Sequence, residues 1–125
     1  MVDELMNETR IVKASQRIST DFLRVLEAQF PVQAQHAIRL RYPSQFAKHL
    51  NIHVNYLNRA IKATLNKTTT QVISERILQE AKILLRAGNL SVAEIAYVLG
   101  FKESTHFNNF FRKHTQFSPT KFRSG

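Results

Sequence analysis

Laid over itself at an offset of 49 residues, the sequence matches Phe46-Ala47 to Ile95-Ala96, Leu50 to Leu99, Asn51 to Gly100 and Ile52 to Phe101. After one inserted residue the offset becomes 50, and Leu57, Asn58, Arg59, Ala60, Ile61 and Lys62 lie over Phe107, Asn108, Asn109, Phe110, Phe111 and Arg112, with Thr68 over Ser118. A chain of 125 residues that writes one short pattern twice is expected to fold as two small, similar units.

The pattern is helical. Three Gly and three Pro in the whole chain, with no sustained period-2 alternation, leave no place for strands, and the fold class is read as all-α. Ile18, Phe22, Val25, Leu26 and Phe30 recur at helical spacing and Pro31 stops them, which predicts a first helix from about Ser15 to Phe30. Residues 1–14 lack such a stripe and read as a linker or disordered end, and Gln33 to Arg41 as a connector. Pro43 suits the first turn of a short helix with Phe46, Ala47 and Leu50 inward, followed by a helix from about His53 to Leu65 that turns Leu57, Ala60 and Ile61 inward. Thr68-Thr69-Thr70-Gln71 fits a capping box opening a longer helix with Val72, Ile73, Ile77, Ala81, Leu84 and Leu85, closed by Gly88. Ser91-Val92-Ala93-Glu94 is a second capping box ahead of Ile95, Ala96 and Leu99. A helix from about Glu103 to His114 then presents Phe107, Phe110 and Phe111, and Ser118-Pro119 starts a final short one.

Each copy therefore holds a short helix with a small Ala facing its partner, a tight turn, an apolar residue beyond it, and a longer helix with a polar outer face. That is the helix-turn-helix arrangement. Asn51 and Gly100 stand where the turn tends to demand a positive φ, which both residue types tolerate. The organisation predicted is a linker or disordered end (1–14), a first helix-turn-helix subdomain of homeodomain-like, three-helix type (15–67), a linker helix (68–88) and a second such subdomain (89–125). At 1.5 Å per residue the 19 residues from about Thr69 to Ala87 within it span about 28 Å, against about 34 Å between successive major-groove faces of B-DNA.

Eighteen Lys and Arg against nine Asp and Glu give a net charge of +9, which favours a polyanionic partner. The placement is more telling. No acid lies between Ala28 and Ser74, where Arg39, Arg41, Lys48, Arg59, Lys62 and Lys67 stand; none follows Ser104, where Arg112, Lys113, Lys121 and Arg123 stand. Each copy of the repeat thus carries a cationic zone. Without Cys the chain has neither disulfide nor thiolate metal site. His36, His49, His53, His106 and His114 make no recognised zinc spacing, and no phosphate loop, nucleophile motif or carboxylate pair is present, so no metal, no cofactor and no enzyme activity are expected. No apolar run approaches the roughly 18 residues of a membrane span, and Met1-Val2-Asp3-Glu4 is not a signal peptide, so a cytoplasmic, nucleoid-associated protein is expected, without a membrane partner.

Together the arrangement and the residues resemble the DNA-binding domain of AraC/XylS-type transcriptional regulators over roughly residues 18–123. The stretches that carry the likeness are Tyr56-Leu57-Asn58-Arg59 with Ile61-Lys62, Arg76-Ile77 with Ala81 and Leu84-Leu85, and Ser91-Val92-Ala93-Glu94-Ile95-Ala96 through Leu99-Gly100-Phe101. It continues through Phe107, Phe110-Phe111-Arg112-Lys113 and Ser118-Pro119 to Phe122-Arg123. The resemblance implies two helix-turn-helix subdomains on a long helix, inserting into adjacent major grooves of a promoter. It further implies contact with RNA polymerase, and an effector-sensing domain outside this chain. Departures are Asn66 and Gln116 where the family commonly has Gly, Asn109 where Arg is frequent, and His53 where Ser is usual. Asn accepts the left-handed conformation; Gln accepts it less well, which leaves room for a different turn at Gln116.

Base reading needs polar groups on the outward face near the N-terminal half of each recognition helix. These are Asn55, Asn58 and Arg59 in the first copy and Ser104, Thr105, Asn108 and Asn109 in the second. Arg59 can fork to guanine and the Asn residues can pair with adenine, so the first copy is expected to dominate base discrimination. Lys62, Arg112 and Lys113 read as phosphate contacts. Arg76, between Glu75 and Glu80, reads as an ion-pair partner, and Phe107 and Phe111 as core. Two competing readings stay open at this point: a helical protein-interaction module with basic faces, and a non-specific nucleic-acid-binding protein.

Overall fold

The computed structural model describes residues 2–125, with side-chain surroundings from Glu4 onward. Among them lie seven helices: α1 (Val2–Glu27), α2 (Pro43–His49), α3 (Val54–Leu65), α4 (Thr69–Ala87), α5 (Val92–Val98), α6 (Ser104–Thr115) and α7 (Pro119–Ser124). The chain divides into two compact units, Met1–Ala28 with Arg41–Ile73, and Gln29–Leu40 with Ser74–Gly125.

In the first unit α1 packs on α3, and α2 on α3. Phe22 of α1 and Phe46 of α2, both fully buried, meet edge to face with centroids 5.0 Å apart, and Leu57, Ala60 and Ile61 of α3 complete the core. Small polar residues let α1 come close to α3: the Ser19 hydroxyl donates to the Ala60 carbonyl at 3.2 Å and bonds the Thr64 hydroxyl at 2.6 Å. Gln45 closes the entry to α2, its side-chain oxygen accepting the N–H groups of Arg41 and Tyr42 at 2.8 and 2.9 Å.

Helix α1 covers residues expected to be a linker or disordered end. Between Val2 and Glu27 there is neither Gly nor Pro, and Glu, Leu, Met, Arg, Lys and Ala favour continuation. Propensity alone carries these turns, since residues 4–14 are exposed, Leu5, Met6, Ile11 and Val12 included. At its other end α1 stops at Glu27, three residues earlier than the apolar spacing suggested.

The second unit is built on α4, α5, α6 and α7 around Ile77, Ala81, Leu85, Ile95, Ala96, Val98, Leu99, Phe101, Phe107 and Phe111. A chain of ring contacts runs Phe101 to Phe107 at 5.4 Å, Phe107 to Phe111 at 6.0 Å and Phe111 to Phe122 at 5.2 Å. From α7, Arg123 donates to the carbonyls of Leu85 (2.9 Å) and Leu84 (3.3 Å) in the last turn of α4, the second of which also accepts the Gly88 N–H.

The expected connector, Gln33 to Arg41, groups with this second unit except for Arg41, as part of a segment spanning residues 29–40, rather than inside a first subdomain spanning 15–67. Its anchor is Glu80 on α4, only 2% exposed, whose carboxylate accepts the Val32 N–H at 2.8 Å and pairs with Arg76 at 3.6 Å. The Arg76 guanidinium also lies 4.0 Å from the Phe30 ring centroid. Ile38 donates its N–H to the Val98 carbonyl at 2.9 Å, and Gln29 closes the loop by bonding the backbone of Arg39 and Leu40. The ion pair expected of Arg76 is therefore present with Glu80, and it does more than staple one helix.

Helix α5 begins with the reciprocal capping box foreseen at Ser91 and Glu94: Glu94 accepts the Ser91 N–H at 2.9 Å, and the Ser91 hydroxyl accepts the Glu94 N–H at 3.1 Å. The bond from the Ser91 backbone, and then that with its hydroxyl, hold the Glu94 carboxyl below its ordinary range. Because the folded value lies below the unfolded one, this contribution to stability is complete above the ordinary Glu value of about 4.3 and is lost as pH falls through the lowered value.

Two outcomes are expected. Arg76→Ala leaves the buried Glu80 carboxylate uncompensated and should lower stability in urea unfolding by about 3 kcal/mol; a loss below about 0.5 kcal/mol would show that the pair anchors nothing. Glu94→Gln, which keeps a residue able to complete the capping box but takes away the titrating carboxyl, should make stability less acid-sensitive below pH ~4 than in the parent chain. Equal acid sensitivity of the two proteins would contradict the Glu94 assignment.

Candidate nucleic-acid interface

The two turns share one hydrogen-bond pattern. In the first, Leu50 donates to Phe46 O (3.0 Å), Asn51 to Lys48 O (3.1 Å) and Ile52 to Ala47 O (3.0 Å). In the second, 49 residues on, Leu99 donates to Ile95 O (3.0 Å), Gly100 to Tyr97 O (3.0 Å) and Phe101 to Ala96 O (2.9 Å). Asn51 sits at φ 57° and Gly100 at φ 85°, the left-handed step that reverses the chain in so few residues. Ala47 and Ala96, each 2% exposed, are the small residues at the two helix crossings.

The helices that follow the two turns, α3 and α6, have 12 residues each and end alike. Asn66 (φ 54°) donates to Lys62 O and Gln116 (φ 70°) to Arg112 O. Gln116 thus takes the same left-handed cap as Asn66, and the turn before α7 does not depart from its counterpart despite the less tolerant residue. The helix starts differ: His53 caps α3, its Nδ1 accepting the Asn55 N–H at 3.1 Å, whereas Glu103 gives α6 no side-chain cap. His53 therefore does with a ring nitrogen what the Ser91 and Ser118 hydroxyls do at the starts of α5 and α7.

All the residues singled out from the sequence are exposed: Asn55, Asn58, Arg59 and Lys62 on α3, and Ser104, Thr105, Asn108, Asn109, Arg112 and Lys113 on α6. With Leu57, Ala60 and Ile61 buried, a turn of about 100° per residue sets Asn55, Arg59 and Lys62 within about 60° of one another on the side opposite the core. Thr105, Asn109 and Arg112 form the matching stripe opposite Phe107 and Phe111. Asn58 and Asn108 lie on the flank of each stripe, and Ser104 is the first residue of α6.

Asn58 is not an unattached side chain, because its Oδ1 accepts the hydroxyl of Thr69 at 2.8 Å. Tyr56 was assigned no base or phosphate contact on sequence grounds, yet it is 61% exposed on α3 and the Arg59 guanidinium lies 5.7 Å from its ring centroid. The signal was an aromatic three residues before an Arg on an exposed helix face. The ring limits the freedom of the guanidinium before any partner arrives.

A family model described as a helix-turn-helix domain matches residues 46–125. The xylose operon regulatory protein of Haemophilus influenzae is 34% identical over 112 residues, which are 86% of this chain and 29% of that protein. The chain therefore spans less than a third of that relative's length. Among solved structures, an AraC-type transcriptional regulator from Chromobacterium violaceum superposes with a TM-score of 0.67 at 22% identity, over 90% of this chain and 94% of the other. The DNA-binding domain of the global transcriptional factor AdpA, solved in complex with a target DNA, gives a TM-score of 0.67 at 18% identity, over 83% of this chain and 90% of the other. At these identities the two structures establish the fold.

Proposed function

Since the chain belongs to the AraC-type helix-turn-helix family of transcription regulators, we propose that it reads double-stranded promoter DNA by placing α3 and α6 in adjacent major grooves. The observation that carries this reading is the repetition of one exposed polar and cationic stripe, Asn55, Arg59 and Lys62 in one unit and Thr105, Asn109 and Arg112 in the other. The two stripes follow the same turn and the same Ala crossing. The 19 residues of α4 lead from one unit into the other.

Arg59, steadied beside Tyr56, forks to guanine O6 and N7, and Asn55 pairs with adenine. Thr105, Asn108, Asn109 and Ser104 offer shorter, uncharged groups, so α6 discriminates less by bidentate contacts and more by shape. Lys62, Arg112 and Lys113 neutralise phosphates. The basic zones and the absence, among the described residues, of any helix long and apolar enough to cross a membrane fit an association with the nucleoid. Contact with RNA polymerase, and control by an effector-sensing domain outside this chain, complete the proposed role.

Selection of bound sites from random duplex DNA tests this function. The chosen duplex should outcompete bulk DNA by 10³ or more, an expectation of about that order for specific recognition. Arg59→Ala should then relax preference at one base pair by about 1–3 kcal/mol, while Lys62→Ala should weaken all duplexes alike and shallow the salt dependence by about one unit of slope. Failure to enrich any sequence would defeat the reading.

A further inference from the structure

The flanking asparagines of the two recognition helices are equivalent in the repeat but not in their surroundings. Thr69, one residue into α4 and 1% exposed, buries a hydroxyl that needs a partner, and Asn58 Oδ1 supplies it at 2.8 Å. The position equivalent to Thr69 in the second unit is Pro119, also buried, which has no hydroxyl to offer. The side-chain amide of Asn108 accordingly has no hydrogen-bond partner among the described residues.

We propose that Asn58 is a positioning residue, tying the recognition helix α3 to the first turn of α4, while Asn108 is the member of the pair that reads a base. The inference rests on the DNA-binding reading above for its consequence, though not for the contact itself. Bidentate recognition of adenine uses both ends of an amide, Oδ1 accepting from N6 and Nδ2 donating to N7. Turning Asn58 out to make it would strand the Thr69 hydroxyl in the core, a loss of the same order as the gain. Held where it is, Asn58 fixes the roll of α3 about its axis, and with it the aim of Asn55 and Arg59. Asn108, with both ends of its amide open, has no such duty.

The test uses Asn58→Ala, Thr69→Val, their combination, Thr69→Ser and Asn108→Ala, each measured against a duplex selected from a random pool by the unaltered chain and against all its single base-pair variants. Asn58→Ala, Thr69→Val and the double variant should each weaken every duplex by a similar factor, about tenfold, with the order of base preferences kept. Thr69→Ser, which retains the hydroxyl, should bind as the parent does, and Asn108→Ala should flatten preference at one base pair. A single relaxed position in Asn58→Ala, with Thr69→Val binding normally, would overturn the proposal. Thermal unfolding without DNA supplies an independent arm: the double variant should melt no lower than the worse single one, and additive losses would overturn the contact. A chain that enriches no duplex would sink the DNA-binding reading, and the unfolding cycle would still decide the contact.

Discussion

Two residues in the left-handed conformation, Asn51 and Gly100, set the geometry on which everything else rests. With φ positive at that one position, a seven-residue helix can be followed within a few residues by a twelve-residue helix that crosses it. The small side chains of Ala47 and Ala96 at the crossings then permit close approach, and the buried faces of Leu57 and Ile61 in one unit and Phe107 and Phe111 in the other fix which side of each recognition helix is left outside. The polar stripe is thus a by-product of core packing: whatever is not needed inside at 100° per residue is available to a partner.

Each unit solves the same packing problem with different material. The first closes with two Phe rings and with Ser and Thr hydroxyls between α1 and α3. The second uses a run of Phe rings and borrows the connector as a further layer, held by a buried carboxylate that accepts a backbone N–H and faces an arginine. An anchor of this kind adds directionality that apolar contacts lack, since Glu80 is satisfied only when Val32 and Arg76 are both in place. The α7 helix does the same for the end of α4, with Arg123 covering its last carbonyls.

The two-unit helical plan was legible because its signals are local. Capping boxes at Thr68 and Ser91, Pro at the first turns of α2 and α7, and apolar spacing within each helix mark where elements begin and which faces turn in. What escaped was of two kinds. The helical state of residues 4–14 follows from propensity without burial, so no apolar stripe announces it. The allegiance of the connector depends on Glu80, 48 residues from Val32, and no spacing rule reveals a bond across that separation. In the candidate interface, the outward residues followed from helical phase, but the engagement of Asn58 with Thr69 needed the position of α4. Gln116 shows the opposite case: its side chain argues against a left-handed cap, and the surrounding structure imposes one.

The central claim is that one chain presents two equivalent recognition helices to one duplex. Hydroxyl-radical footprinting on a selected site measures this most directly. Two protected patches on one side of the DNA, with centres about ten base pairs apart, are predicted. A single protected patch, unchanged in extent when α6 is stripped of Arg112 and Lys113, would contradict it.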